Sequence, residues 1–135
     1  MEHIDCVVLA TGDPSLERKI CADLYTTGHN ISVVHCWQEA MGLGGHVVGY
    51  KTAFNGCLNC LFQKSGSQLL LPTTSFVEEG QVTSKTMAGC VSAFAPFSSI
   101  DANQTASLAS RMVIRILTNS QTPCYDGWKS DSIYS

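Results

Sequence analysis

Residues 98–117 constrain the fold more than any other stretch. Thr105, Leu108, Ala109, Met112, Val113 and Ile116 recur at the spacing of one helix face. Ser98 followed by Asp101 fits a capping box in its Ser-x-x-acid form. Arg111 and Arg115 lie four apart, off that stripe and toward the carboxyl end, where cations suit the helix dipole. About twenty residues at ~1.5 Å each give roughly 30 Å, enough to cross a small domain.

The stretch ahead of this helix reads as a loop, because Gly89 and Pro96 break regular structure. It carries Cys90. A cysteine shortly before a helix amino terminus is where a thiolate is stabilised. Cys90 is therefore a candidate nucleophile, with the helix as its scaffold. The alternative is a buried structural cysteine in a loop.

At the other end of the chain, residues 3–11 form a near-continuous apolar run of strand length. Such runs belong to central parallel strands covered on both faces. Asp13 and Pro14 then supply an N-cap and a first helical residue. A helix is predicted from Pro14 to about Tyr25, with Leu16, Ile20 and Leu24 on one stripe and Gly28 closing it. A second strand follows over residues 31–37. Strand, helix and strand with short connections make a βαβ unit, so the two strands are expected to pair in parallel. Ligands of such units sit at the carboxyl ends of the strands. That rim carries Thr11, Gly12, Asp13 and the Trp37–Glu39 segment. Asp13 has two readings, a ligand-binding acid or a helix cap alone.

The glycine-rich residues 41–45 are not a phosphate loop. They lack the Gly-Lys-Ser/Thr ending and lead into a strand-like run, His46 to Tyr50, so a tight turn is expected. Cys57 and Cys60 form a Cys-x-x-Cys knuckle. Two thiolates at this spacing can grip one zinc ion, which takes four ligands. A second matching pair is missing, with Cys124 alone and His46 as a candidate third ligand. Two thiols packed in the core explain the pair equally well. A thioredoxin-like redox pair is disfavoured, since no helix is expected after Cys57. Residues 63–87 are polar and weakly patterned apart from Leu69–Leu71, and a connection this long is usually mobile or functional. Residues 119–135 read as a polar tail.

The 135 residues suffice for one domain with one core. With 44% hydrophobic and 14% charged residues, the chain is globular and not disordered. A net charge of −3, with only 8 scattered Lys and Arg, gives no footprint for nucleic acid. No apolar run approaches a membrane span, and Glu2, His3 and Asp5 do not suit a signal peptide. Seven cysteines, several inside apolar runs, fit a reduced, cytoplasmic protein.

In this order, the pieces resemble the carboxyl-terminal half of a ThiF-type adenylyltransferase, the family of ubiquitin-activating-like enzymes. The resemblance spans about Asp5 to Thr118. It is carried by Leu9–Asp13, by Cys57–Phe62, by Cys90 in a crossover loop, and by the helical segment 99–111. Residues 10–14 and 42–46 bring it closest to the activating half of bacterial antiphage proteins that fuse activating and conjugating activities. The implied fold is α/β and partial Rossmann-like: a βαβ unit, a β-rich segment, a cysteine crossover loop and a long carboxyl-terminal helix. Residues 1–118 would form that half-domain and 119–135 a tail.

The resemblance also implies roles. Cys90 matches the cysteine that takes an adenylated carboxyl terminus as a thioester. Thr11 and Asp13 lie at the ATP site, Asp13 near the family's magnesium-binding aspartate, and Cys57 and Cys60 match half of its structural zinc site. The partner would be the carboxyl terminus of a ubiquitin-like protein, a sulfur-carrier protein or another protein. Three departures stand out. Gly12 occupies the usual place of the magnesium aspartate, the second Cys-x-x-Cys is absent, and no Gly-x-Gly-x-x-Gly nucleotide segment occurs in these residues. The chain is accordingly expected to begin partway through a sheet, to be inactive alone, and to need an amino-terminal half or a second copy. An inactive interaction module of the same fold, and a sulfur-carrier adenylyltransferase fragment, are the competing expectations.

Overall fold

The computed structural model describes residues 3–54, 56–65, 68–72, 74–77, 85–86, 93–94, 97–118 and 123–131. Cys90 and its immediate neighbours lie outside these residues.

The first strand, β1 (Cys6–Leu9), runs into a turn at Gly12 and then into helix α1 (Pro14–Thr26). Gly12 adopts a φ of +71°, a left-handed conformation that costs glycine nothing and an aspartate something. Asp13 caps α1: its Oδ1 accepts from the Ser15 amide at 2.9 Å and the Leu16 amide at 3.1 Å. Pro14 opens the helix and Gly28, at φ +69°, follows its end. Strand β2 (Ser32–Gln38) then pairs with β1 in parallel, as expected of a βαβ unit.

A 3-10 turn over Ala40–Gly42 reverses the chain into β3 (Gly44–Lys51), which runs antiparallel to β2. The glycine-rich segment thus makes the tight turn, but Gly44 and Gly45 already belong to the strand. Two short antiparallel pairs follow, β4 (Phe62–Ser65) with β5 (Gln68–Pro72), then β6 (Lys85–Thr86) with β7 (Ala93–Phe94). Helix α2 (Ser99–Thr118) comes next and β8 (Cys124–Lys129) last. The main sheet is mixed, in the order β1-β2-β3-β8. Among the described residues the protein is therefore α/β, with a four-stranded mixed sheet and two α-helices.

Two expectations are corrected here. Residues 124–129 are not tail: they pair antiparallel with β3 from Gly49↔Cys124 to Gly44↔Lys129. And β1 is an edge strand among those described, not a central one, with Val8 51% exposed. An apolar run of strand length says that one face is covered. It does not say how many neighbours the strand has.

Alternation along β2 and β3 assigns the helices to opposite faces. Val33, Val48 and Tyr50 pack with Cys21, Ile20 and Leu24 of α1. Val34 and Val47 pack with Ala109, Met112 and Ile116 of α2. The α2 stripe is the one its spacing predicts, and its capping box forms. The Ser98 amide donates to Asp101 Oδ2 at 2.9 Å, and the Asp101 amide to Ser98 Oγ at 3.2 Å. The α1 stripe is rotated from its expected position. Leu16 is 44% exposed, while Glu17 and Cys21 are buried.

Helix α2 approaches β3 closely because the strand presents glycine to it. A Cβ at Gly45 would stand 1.9 Å from Thr105 Oγ1, and one at Gly49 2.1 Å from Ile116 Cδ1. Thr105 uses that proximity, accepting from Trp128 Nε1 at 2.7 Å and from Gln38 Nε2 at 2.5 Å. No helix among the described residues is long and apolar enough to cross a membrane.

Candidate functional site

Where β1 and β2 end, the chain leaves a cavity of about 650 Å³, well within the range of small-ligand sites. The β1–α1 turn forms one wall with Thr11, Gly12 and Asp13, and the end of β2 another with Cys36, Trp37, Gln38 and Glu39. Ala102, Thr105 and Ala106 of α2 line it from the other layer, with Phe62, Ser75 and Phe97 completing the rim. The carboxyl ends of a parallel pair are where open α/β sheets bind ligands, so the site falls where the βαβ reading puts it.

Two buried carboxylates face this cavity, and each is held by a histidine and a tyrosine. Glu17 Oε2 accepts from His35 Nδ1 at 2.8 Å, and His35 Nε2 lies 2.9 Å from the Tyr50 hydroxyl. That hydroxyl donates in turn to Cys21 Sγ at 3.0 Å. The other Glu17 oxygen accepts from the Thr11 amide and hydroxyl, both at 2.9 Å. On the next strand, Glu39 Oε1 accepts from His46 Nε2 at 2.9 Å, and His46 Nδ1 lies 2.8 Å from the Tyr125 hydroxyl. Trp37 stacks on His46 at a centroid distance of 4.9 Å, and Phe76 lies against the same imidazole at 4.7 Å. Both histidines are fully buried.

Burial alone would raise the Glu17 carboxyl. The hydrogen bonds from His35 and Thr11 outweigh it and hold the group below its usual range. Glu39 behaves alike: burial pushes it up, and His46, the Phe76 amide and Ser75 pull it down further. Both acids thus bind fewer protons folded than unfolded. The stability they contribute is complete above the unfolded carboxylate pKa of about 4.3 and is lost as pH falls through the lower folded values. The urea midpoint should drop progressively as pH falls below about 4.3. Glu17→Gln should flatten that drop, and a midpoint that rose on acidification would contradict the assignment.

No family model, curated protein or solved structure matches the chain.

Of the residues singled out by sequence, Thr11 and Asp13 do stand on the cavity wall, yet each serves the turn first. Thr11 is tied to Glu17, and one oxygen of Asp13 is spent on the α1 cap. Cys57 and Cys60 lie elsewhere. With Cys124 they line a second, smaller cavity of about 160 Å³. A 3-10 turn, Leu58–Leu61, follows Cys57 where no helix was expected, and the Cys60 amide donates to the Cys57 carbonyl at 3.0 Å. Burial pushes the Cys57 thiol up to about 11, so it is protonated at neutral pH. The candidate third ligand, His46, is ruled out by its bonds to Glu39 and Tyr125. Among the described residues no group of three or more His, Cys, Asp or Glu side chains is placed to hold a metal ion.

Sequence reasoning placed Glu39 on the rim but missed Glu17 and both histidine pairs. The available signal was His35 and His46, each a polar residue inside an apolar strand run.

Proposed function

We propose that the chain is the acyl-accepting part of an ATP-dependent enzyme of ThiF type, which activates the carboxyl terminus of a ubiquitin-like or sulfur-carrier protein in the cytoplasm. The observation that carries this reading is the cavity at the carboxyl ends of β1 and β2, with the Thr11–Asp13 turn on its wall. A parallel pair, an antiparallel return strand and a long helix suit the resemblance as well.

In the proposed reaction a carboxylate, a poor electrophile, first becomes an acyl adenylate at the expense of ATP, with release of pyrophosphate. A nucleotide-binding half, supplied by a partner, a second copy or preceding sequence, does this. The Cys90 thiolate then attacks the acyl carbon. The C–S bond forms, the bond to the phosphate oxygen breaks, and AMP leaves. The role of Cys90 rests on its sequence context alone.

A second reading, an inactive interaction module of the same fold, draws support from the cavity's charge. Three acids line it, and no Lys or Arg among the described residues does. One experiment separates the two. The full chain is mixed with a synthetic peptidyl adenylate ending in Gly-Gly, and intact mass is followed. A single hydroxylamine-labile acyl group that disappears in Cys90→Ala is the expected result. A chain that stays unmodified, or acylates evenly across its cysteines, would leave the inert module standing.

A further inference from the structure

We propose that Cys57 and Cys60 are a reversible oxidation site, a dithiol that small disulfides of the glutathione class convert into a Cys57–Cys60 disulfide. The exchange uses neither ATP nor Cys90, so this proposal and the acyl-transfer reading fail separately.

Spacing and turn bring the pair together. The Cys60 amide donates to the Cys57 carbonyl at 3.0 Å, which closes residues 57–60 into a turn. A turn closed by that bond holds its first and last Cα atoms within about 7 Å. A disulfide spans about 4.4–6.8 Å between Cα atoms. Both cysteines also line one cavity, that of about 160 Å³ shared with Pro123 and Tyr125, so neither side chain is turned away from the other's space. The lack of a helix after Cys57 counts against a redox pair in the sequence, and the 3-10 turn Leu58–Leu61 removes that objection.

The turn is fixed before any bond forms. The Gly56 carbonyl accepts from the Tyr25 hydroxyl at 2.9 Å. Asn59 Oδ1 accepts from Arg18 Nε at 2.6 Å, and the Arg18 guanidinium lies 5.4 Å from the Phe62 ring centroid. Both anchoring side chains belong to α1. A pair held in this way loses little freedom on being joined, which favours the bridged form.

Unequal exposure divides the two roles. Cys60 is exposed, so an external disulfide reaches its sulfur. Cys57 is half-buried and packs against the core that holds Cys21 and Tyr50. The Cys60 thiolate attacks one sulfur of glutathione disulfide. A mixed disulfide forms, the reagent's S–S bond breaks, and one glutathione leaves as its thiolate. The Cys57 thiol gives its proton to water, attacks the Cys60 sulfur and expels the second glutathione. The net change is dithiol plus glutathione disulfide to protein disulfide plus two reduced glutathiones. Two electrons pass from the protein to the reagent.

The test uses the full chain, reduced, freed of reductant and incubated with excess glutathione disulfide. Intact mass is followed, and peptides are mapped after alkylation in urea. The parent chain should lose two hydrogens, protect two of its seven thiols and yield a linked Cys57–Cys60 peptide. Excess reduced glutathione should restore both thiols. Cys57→Ser should stop with one glutathione on Cys60, and Cys60→Ser should leave Cys57 open to alkylation. Cys90→Ala should form the same linked peptide as the parent. Cys57 and Cys60 both staying alkylatable in the parent chain would overturn the proposal, whether or not a variant folds. So would their protection by a bound zinc ion, or a linkage from either one to Cys21 or Cys124.

Discussion

Gly49→Val should cost roughly 3 kcal/mol of stability, the upper end of what overpacking does to a well-filled core. The position lies mid-strand in β3, opposite Val34 on one side and Cys124 on the other. A Cβ there would stand 2.1 Å from Ile116 Cδ1 and 2.8 Å from Met112 Cγ. The first ends a flexible side chain and the second lies midway along another, and both side chains would ordinarily swing aside. Here Ile116 and Met112 are fully buried between helix and sheet, and there is nowhere for them to go. The helix must lift instead, and Thr105 would then lose Gln38 and Trp128. Combining Gly49→Val with Ile116→Ala makes room where it is needed, so the pair should cost clearly less than the sum of the two single changes. Urea denaturation of the four proteins measures this. Strict additivity would mean that α2 does not rest on the β3 glycines.

His35→Leu should be as damaging for a different reason, at about 3–5 kcal/mol. The change removes the imidazole donor that holds Glu17 and leaves a buried carboxylate with only Thr11 as a partner. The Tyr50 hydroxyl keeps Cys21. The penalty comes mostly from the stranded charge, not from any shortage of apolar contact. The double change Glu17→Leu with His35→Leu should therefore be much milder than His35→Leu alone, since it replaces both buried hydrogen-bonded partners by hydrocarbon. If the double variant proved the worse of the two, Glu17 would not be charged in the fold.

What could be read from sequence was what is local. The α2 stripe, its Ser98–Asp101 box, the Asp13 cap and the parallel pairing of β1 with β2 all follow from spacing and turn chemistry over a few residues. Three features were not legible, each because a distant residue decides it. Glu17 turns inward against the hydrophobic pattern of α1, since His35 waits on a strand that has not yet been made. Residues 124–129 carry Asp126 and Gly127 and read as part of a polar tail. They become a strand because β3 offers an open edge, and Trp128 reaches Thr105. The glycines of β3 resemble loop punctuation until a helix is laid across them. The candidate site divides the same way. Its place at the strand ends was legible, while its pair of histidine-braced acids was not.

The alternation along β2 and β3 has one last consequence. All the buried imidazole lies on the α1 side of the sheet, and the α2 side is mostly hydrocarbon, with Ser32, Gln38 and Thr105 among its polar groups. Sliding one strand past the other by a single residue would exchange the two sides. His35 and His46 would then be driven against Met112 and Ile116, parted from the acids that solvate them. The hairpin is thus kept in register by ionic penalty as much as by oil, and a single-residue insertion between Ser32 and Lys51 would be refused on electrostatic grounds before any question of fit arose.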